Sequence, residues 1–295
     1  MSNIRNVRFA ALIGGITTLA AGVAVGMPPT GDWNAPANLE TLPQSSPNIN
    51  TPSVDGCASL SPDGLSIAFN SNRTGNHDIY IATRPNKSVG FGTPVALPAP
   101  INSAADDSCP TLTQGSRLYF SSNREDPAYD IYVTRRVGYG WSAPVRLGPN
   151  INTPGRLDES AALYVLGGHE FLLFSSRSID GTAGVIYQSV DGGPKSPVQG
   201  GPNLVGSNNR PSISHDGKTI FFDSDRPGTL GGPDLYYASR AGAVGPFGPA
   251  THLESLSSPV FDARPFVSWD GTMLTFASAR AGSTSPAPDI WFATR

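Results

Sequence analysis

Charge is scarce in this sequence, and the short motifs that identify many enzymes are absent. Only 15% of its 295 residues are charged, the formal net charge is -3, and no run is rich in Lys or Arg. This composition excludes a basic nucleic-acid-binding surface. The four histidines contain no pair spaced for a metal ion, and the sequence has neither a Gly-x-Ser-x-Gly nucleophile elbow nor a glycine-rich phosphate loop. No cofactor is therefore predicted from motifs.

Long apolar runs are also absent beyond the first 26 residues. Arg5 and Arg8 precede the apolar segment FAALIGGITTLAAGVAVG, residues 9–26, which ends in small residues. This order predicts a signal peptide over residues 1–26, a short linker over 27–32, and a periplasmic or secreted protein with no membrane span after cleavage. A retained membrane anchor is the alternative, but the many Gly and Thr residues of the run weaken it. No cysteine lies near the cleavage site to carry a lipid.

The 33 Gly and 28 Pro residues interrupt the chain often enough to argue against long helices. A repeat is present instead: SPDGLSIAFNSNRTGNHDIYIATR, from Ser61 to Arg84, returns in four further versions. An Arg at the corner of each copy falls at positions 73, 124, 177, 226 and 280, so the spacings are 51, 53, 49 and 54. A period near 50 residues is typical of one four-stranded propeller blade.

Each copy combines a hairpin turn, an alternating strand, a glycine-rich corner and a third strand. A fourth strand lies between copies, as in GTPVAL (92–97) and SAPVRL (142–147). The fifth copy has no fourth strand after it, but WNAPANL (33–39) shows that pattern before the first copy. We therefore predict an all-β, five-bladed β-propeller over residues 33–295, with four-stranded antiparallel blades. The N-terminal strand joins the last blade, and this closure removes the exposed sheet edge and favours a monomer.

The motif SPDG…IAFNSNR…DIYIATR resembles the TolB-type, WD-like β-propeller repeats of bacterial envelope proteins. The resemblance covers nearly all of the predicted mature chain. It implies the propeller fold and a location in the cell envelope. It does not define an activity, because such propellers include binding scaffolds, peptidase-associated domains and lyases.

Two repeated positions are interpreted as structural. The corner Arg is followed in four blades by an Asp that opens the third strand, which gives the pairs Arg73 and Asp78, Arg124 and Asp130, Arg226 and Asp234, and Arg280 and Asp289. Blade three keeps Arg177 but has Val185 at the second position. We expect the opposite charges to pair across each corner. The aromatic residue two positions after the Asp is expected to pack between neighbouring blades.

A further repeated position, at the start of each unit, predicts a functional site at one mouth of the central channel. Its occupants are Asp55, Asp107, Asp158, Asn208 and Asp262, here called the acid ring. Two residues later stand Cys57, Cys109, Ser160, Arg210 and Arg264, here called the axial residues. One interpretation is structural, with each acid capping its own loop. In the other, Arg210 and Arg264 hold an anionic or polyhydroxy group, while the acids accept hydroxyl groups or coordinate a divalent cation.

These features predict a ligand- or protein-binding module of the bacterial cell envelope. Its partner would be a polar small molecule, a saccharide or an envelope protein. The alternative is a carbohydrate-active enzyme, a glycoside hydrolase or lyase, that uses carboxylates at the channel mouth. Glu159 is then the candidate catalytic acid or base, because it departs from the repeat near the axis. Cys57 and Cys109 occupy equivalent positions of adjacent blades, which allows a disulfide but does not fix the distance between them.

Overall fold

The computed structural model describes residues 33–295, and the predicted signal peptide and linker lie outside this range. The described residues form five antiparallel sheets, so the prediction of an all-β, five-bladed propeller is confirmed. The helices within residues 33–295 are three short 3-10 turns, Leu39–Thr41, Gly201–Asn203 and Glu254–Leu256. In this part of the chain no helix has the length and apolar character needed to cross a membrane.

Each blade has an inner, a second, a third and an outer strand. Strand β1 (Ala37–Asn38) precedes blade one, which comprises β2 (Asp55–Leu60), β3 (Ser66–Ser71), β4 (Asp78–Thr83) and β5 (Val95–Ala96). Blade two comprises β6 (Asp107–Leu112), β7 (Arg117–Ser122), β8 (Asp130–Val137) and β10 (Val145–Arg146), with an added strand β9 (Gly140–Trp141). Blade three comprises β11 (Arg156–Leu166), β12 (His169–Ser178), β13 (Val185–Val190) and β14 (Ser196–Pro197). Blade four comprises β15 (Asn208–Ile213), β16 (Thr219–Ser224), β17 (Asp234–Ser239) and β18 (Thr251–His252). Blade five comprises β19 (Asp262–Val267), β20 (Met273–Ser278) and β21 (Asp289–Thr294).

The N-terminal strand supplies the outer strand of blade five, as predicted. Ala37 pairs with Phe292 and Asn38 with Trp291 in an antiparallel register. The Asn34 amide also donates to the Thr294 carbonyl at 2.8 Å. The sheet of blade five is therefore built from both ends of the described chain.

Alternating strand directions give the propeller two faces. Every inner strand begins at the upper face, where the chain arrives from the preceding blade and where the second strand turns into the third. The lower face carries the turns between first and second strands and the loops between third and outer strands. In blade one the lower turn is capped by Asp63, which accepts from Ser61 Oγ at 2.5 Å and from the Leu65 amide at 2.9 Å. Gly64 follows at φ 72°, a conformation that favours glycine in such turns.

Aromatic side chains pack the blades against one another. Phe222 and Tyr236 of blade four share a buried cluster with Phe171 and Leu173 of blade three. Within a blade the rings of the second and third strands stack, as for Phe222 and Tyr236 with centroids 6.0 Å apart. The repeated aromatic positions therefore form the core between blades, as the sequence predicts.

The corner arginines do not pair with the acids that open the third strands, so this expectation is wrong. Each guanidinium instead reaches the start of its own inner strand. The contacts are Arg73 to Asp55 at 2.7 Å, Arg124 to Asp107 at 2.5 Å, Arg177 to Glu159 at 2.9 Å, Arg226 to Asn208 at 2.6 Å and Arg280 to Asp262 at 2.6 Å. Arg177 of blade three thus has an acidic partner in Glu159, although Val185 stands where the other blades have the strand-opening acid.

The acids that open the third strands have other partners. Asp130 lies 2.6 Å from Arg146 on the neighbouring outer strand, and Asp289 accepts from the Thr284 amide at 2.7 Å. The two groups face different strands. Asp130 bonds to the outer strand, whereas the corner arginine lies across two stacked rings and reaches the inner strand, as Arg73 does 4.6 Å from the Tyr80 centroid.

Candidate functional site

The acid ring lies at the upper face and is fully buried. Asp55, Asp107 and Asp262 follow one pattern: one oxygen accepts from the corner arginine, and the other accepts an amide and a hydroxyl from the residue four positions earlier. For Asp262 these donors are Arg280 at 2.6 Å, the Ser258 amide at 2.6 Å and Ser258 Oγ at 2.5 Å. Its side chain has no exposed surface. These contacts favour the loop-capping interpretation of the ring acids.

Backbone bonds also fix the ring between blades. The Asp107 amide donates to the His77 carbonyl at 2.7 Å, and the Asp158 amide donates to the Tyr129 carbonyl at 2.8 Å. His77 and Tyr129 each belong to the preceding blade. The ring position therefore ties each inner strand to the preceding blade through its backbone.

Blades three and four vary the pattern. Asp158 accepts from the Thr153 amide at 2.6 Å and lies 3.4 Å from Lys195 instead of a corner arginine. Burial raises the pKa of Asp158 in spite of these donors. Asn208 uses its amide oxygen to accept from Arg226 and from Ser224. In blade four the neutral Asn208 amide thus takes the place of the carboxylate, and it accepts from Arg226 without balancing the arginine's charge.

A β-bulge in every inner strand turns the axial residues toward the channel. The strand register shifts at this point in all five blades. Cys57, Cys109, Ser160, Arg210 and Arg264 have φ values of 49°, 45°, 61°, 48° and 61°. A left-handed conformation at a non-glycine residue costs energy, and its repetition marks a position that the fold requires. The five side chains line a cavity of about 30 Å³ on the axis.

Cys57 and Cys109 form a disulfide between neighbouring inner strands, which resolves the question that the sequence left open. Their Cα atoms are 4.7 Å apart, because the two bulges bring neighbouring inner strands close together. The bond links blades one and two beside the cavity.

Loss of this disulfide is expected to lower the free energy of unfolding by about 2–4 kcal/mol, because the bond closes a loop with a sequence separation of 52 residues. The measurement is urea unfolding of the Cys57→Ala/Cys109→Ala double variant beside the parent. Dithiothreitol should shift the parent's midpoint toward that of the variant and leave the variant's midpoint unchanged. Equal midpoints for parent and variant would contradict the expectation.

Arg210 is committed to an internal partner. Its Nε and Nη2 atoms donate to the two oxygens of Asp223, each at 2.9 Å. Although burial opposes its charge, the Asp223 carboxylate raises the pKa of Arg210 overall. Asp223 is itself fully buried and also accepts from the Arg264 amide at 2.9 Å. This bidentate pair supports the bulge of blade five and leaves Arg210 little capacity for a ligand.

Arg264 has no such partner. Its Nε and Nη1 atoms are buried, and no residue within 33–295 accepts a hydrogen bond from them. The side chain extends over Gly56 of blade one, where an added Cβ would lie only 2.8 Å from Nη1. Burial and the nearby charge of Arg210 lower the pKa of Arg264 to about 10. The guanidinium is therefore charged at neutral pH and short of acceptors.

Glu159 is the remaining carboxylate near the axis. It is 5% exposed, and its Oε1 atom accepts from Nε of Arg177 at 3.0 Å. Its Oε2 atom accepts no hydrogen bond from residues 33–295. Tyr129 of blade two is close enough that burial, Asp106 and Glu159 together raise the pKa of the phenol. The charge of Glu159 also acts on Arg264 and favours its charged form, although no hydrogen bond joins the two side chains.

Two contributors to the site were missed in the sequence, Asp223 and Tyr129. Asp223 stands where the other second strands have Asn70, Ser121, Ser175 and Ala277. Tyr129 stands where the other blades have His77, Gly184, Pro233 and Pro288. A variable residue at an otherwise regular position near the axis is the signal that could have found both.

Metal binding finds no further support in the part of the chain that the structure describes. No group of three or more His, Cys, Asp or Glu side chains there could hold a metal ion. A divalent cation at the channel mouth stays a prediction.

The chain matches no family model and no curated protein sequence. Solved structures with the same fold include a TolB of Agrobacterium tumefaciens, at 20% identity and a TM-score of 0.50, with 79% of this chain and 72% of that chain covered. The native arabinanase of Bacillus subtilis matches at 12% identity and a TM-score of 0.60, over 84% of this chain and 94% of that chain. A glycoside hydrolase family 43 endo-arabinanase of Bacillus licheniformis matches at 13% identity and a TM-score of 0.59, over 85% and 95%. At these identities the comparisons establish a likeness of fold to a TolB and to arabinanases, and they establish no activity.

Proposed function

We propose that this protein is an exported TolB-like binding module, and that it holds a polar ligand at the upper mouth of its central channel through Arg264. The observation that carries the proposal is a pair of buried nitrogen atoms of Arg264, Nε and Nη1, which donate to no acceptor within residues 33–295. Buried N–H groups without acceptors are costly, so their retention at the axis is best explained by an acceptor that arrives from outside. The disulfide of Cys57 and Cys109 supports an exported location.

The chemistry around Arg264 favours a ligand that carries both a carboxylate and hydroxyl groups. A carboxylate matches the planar fork of a guanidinium. Glu159 Oε2 could accept from a hydroxyl of the same ligand, and the Tyr129 phenol could donate to another oxygen. The axial cavity of about 30 Å³ is lined by Arg264 but not by Glu159 or Tyr129, so these two residues would meet the part of the ligand that stays outside the cavity.

The glycosidase alternative rests on Glu159 and on the resemblance of the fold to the family 43 arabinanases. Hydrolysis needs a second carboxylate at a separation of about 5–9.5 Å. Asp55, Asp107 and Asp262 are fully bonded within their loops, and Asp223 is held by Arg210. A binding role therefore fits the described side chains better than acid–base catalysis does.

Replacement of Arg264 by Met is expected to abolish ligand binding and to raise the stability of the unliganded protein by about 1–2 kcal/mol, because it removes two buried nitrogen atoms that lack acceptors. The measurement is thermal melting with and without millimolar D-glucuronate, and with D-glucose as the ligand that lacks the carboxylate. The parent should gain stability with glucuronate only.

Arg136→Met, on the lower face, is the matched control and should retain the response to glucuronate. Retention of that response by Arg264→Met would overturn the assignment of the site. A fall in melting temperature for Arg264→Met would show that Arg264 has a structural role. Release of p-nitrophenol from aryl arabinofuranosides by the parent but not by Glu159→Gln would favour the glycosidase instead.

A further inference from the structure

The two faces of the propeller carry opposite net charge. In residues 33–295 the upper face holds ten Arg and Lys against seventeen Asp and Glu, while the lower face holds eight against five. The lower-face cations are Arg84, Lys87, Arg117, Arg135, Arg136, Lys218, Arg240 and Arg295. The lower-face acids are Asp63, Glu170, Asp191, Asp216 and Asp270. The lower face therefore carries a net charge of +3 (eight cations and five acids), although the overall charge of the chain is negative.

The lower face also carries a hairpin that has no counterpart in the other blades. Strand β8 continues to Val137 and pairs with β9, so that Arg136 lies opposite Trp141. Val137 is 63% exposed and Tyr139 at the tip is fully exposed. Arg136 stacks over the Trp141 ring with its guanidinium carbon 5.2 Å from the centroid, and it makes no ion pair within residues 33–295. The hairpin thus combines apolar, aromatic and cationic side chains at one projecting point.

A second apolar tip lies on the neighbouring blade. Val165 and Leu166 precede the Gly167–Gly168 turn of blade three and are 53% and 42% exposed. The upper face has exposed apolar residues as well, such as Leu204, but there they stand among a net excess of acids. The combination of apolar tips with net positive charge is therefore confined to the lower face.

We propose that the lower face docks on a membrane surface rich in anionic lipids, with the β8–β9 hairpin entering the interface. Aromatic rings and arginines are the side chains that favour the zone between head groups and acyl chains. Anionic lipids attract nearby basic residues, each of which contributes to binding. The acidic upper face is repelled by the same surface, so the bound molecule holds its upper mouth toward the solvent.

The test is cosedimentation of the protein with vesicles of phosphatidylglycerol and phosphatidylcholine in equal parts, and with vesicles of phosphatidylcholine alone. We expect binding to the anionic vesicles only. Arg135→Gln/Arg136→Gln should weaken it by about tenfold or more, since two cations are lost. Val137→Ser/Tyr139→Ser should also weaken it, whereas Leu204→Ser, an exposed apolar residue on the upper face, should not.

Several outcomes would overturn the proposal. These are no binding to anionic vesicles, equal binding to both kinds of vesicle, or an equal loss with Leu204→Ser. A general polyanion patch instead of lipid docking would be indicated by two results together. Binding would depend on Arg135 and Arg136 but not on Val137 and Tyr139, and the protein would bind polyglutamate as well as it binds the anionic vesicles. Thermal melting of each variant verifies its fold, and the altered side chains are exposed, so stability should change little.

Discussion

A chain that begins at Glu40 is expected to melt far below one that begins at Trp33. The missing segment contains the outer strand of blade five, so its loss exposes the free edge of strand β21. It also contains Leu39, which is completely buried against blade one, and Trp33, whose ring packs edge-on to Phe221 at 6.3 Å. Loss of this apolar contact and of the strand pairing should cost about 5 kcal/mol.

The matched control is the chain that begins at Trp33, which keeps every strand of the propeller. Thermal melting followed by circular dichroism and light scattering would compare the two. The shorter chain should also aggregate, because an open sheet edge recruits other chains. Coincident melting curves would show that the N-terminal strand contributes little to closure.

Asp262→Ala is expected to destabilise the protein by about 3–5 kcal/mol, measured by urea unfolding. The substitution removes a fully buried carboxylate that accepts from Arg280 and twice from Ser258. The Arg280 side chain is only 13% exposed and would be left without its counter-charge.

The sequence itself offers the control for this prediction. Blade four carries Asn208 at the ring position and keeps the bond from Arg226 to its amide oxygen. Asp262→Asn should therefore cost less than Asp262→Ala, since it preserves the acceptor for Arg280 but loses acceptors for Ser258. Equal losses for the two variants would contradict a role for the Arg280 contact, and no loss for either would contradict the loop-capping role of the ring.

The repeat was sufficient to predict the fold, because a period near 50 residues and a displaced fourth strand leave one closed arrangement. The sequence places the acid ring at the start of each inner strand and offers loop capping as one interpretation, but it does not predict the bond to the corner arginine. Whether Asp262 faces the channel or its own loop depends on the corner arginine, which lies 18 residues along the chain and bonds across the sheet. Arg280 does not pair with Asp289, because its side chain lies over the rings of Phe276 and Trp291 and reaches Asp262.

The difference between Arg210 and Arg264 was also beyond the sequence. Both occupy the same repeat position, and both have the left-handed backbone of the bulge. Arg210 meets Asp223 on the second strand of its own blade, whereas the equivalent residue in blade five is Ala277. A single residue on another strand thus decides which arginine is satisfied and which remains available.

Because Ala37 pairs with Phe292, the first strand of the propeller has no partner until the last strand has been synthesised. A nascent chain can assemble blades one to four in order, but it must hold its earliest strand unpaired throughout translation. Ring closure is therefore a late step in folding, and it joins two segments that lie at opposite ends of the described chain.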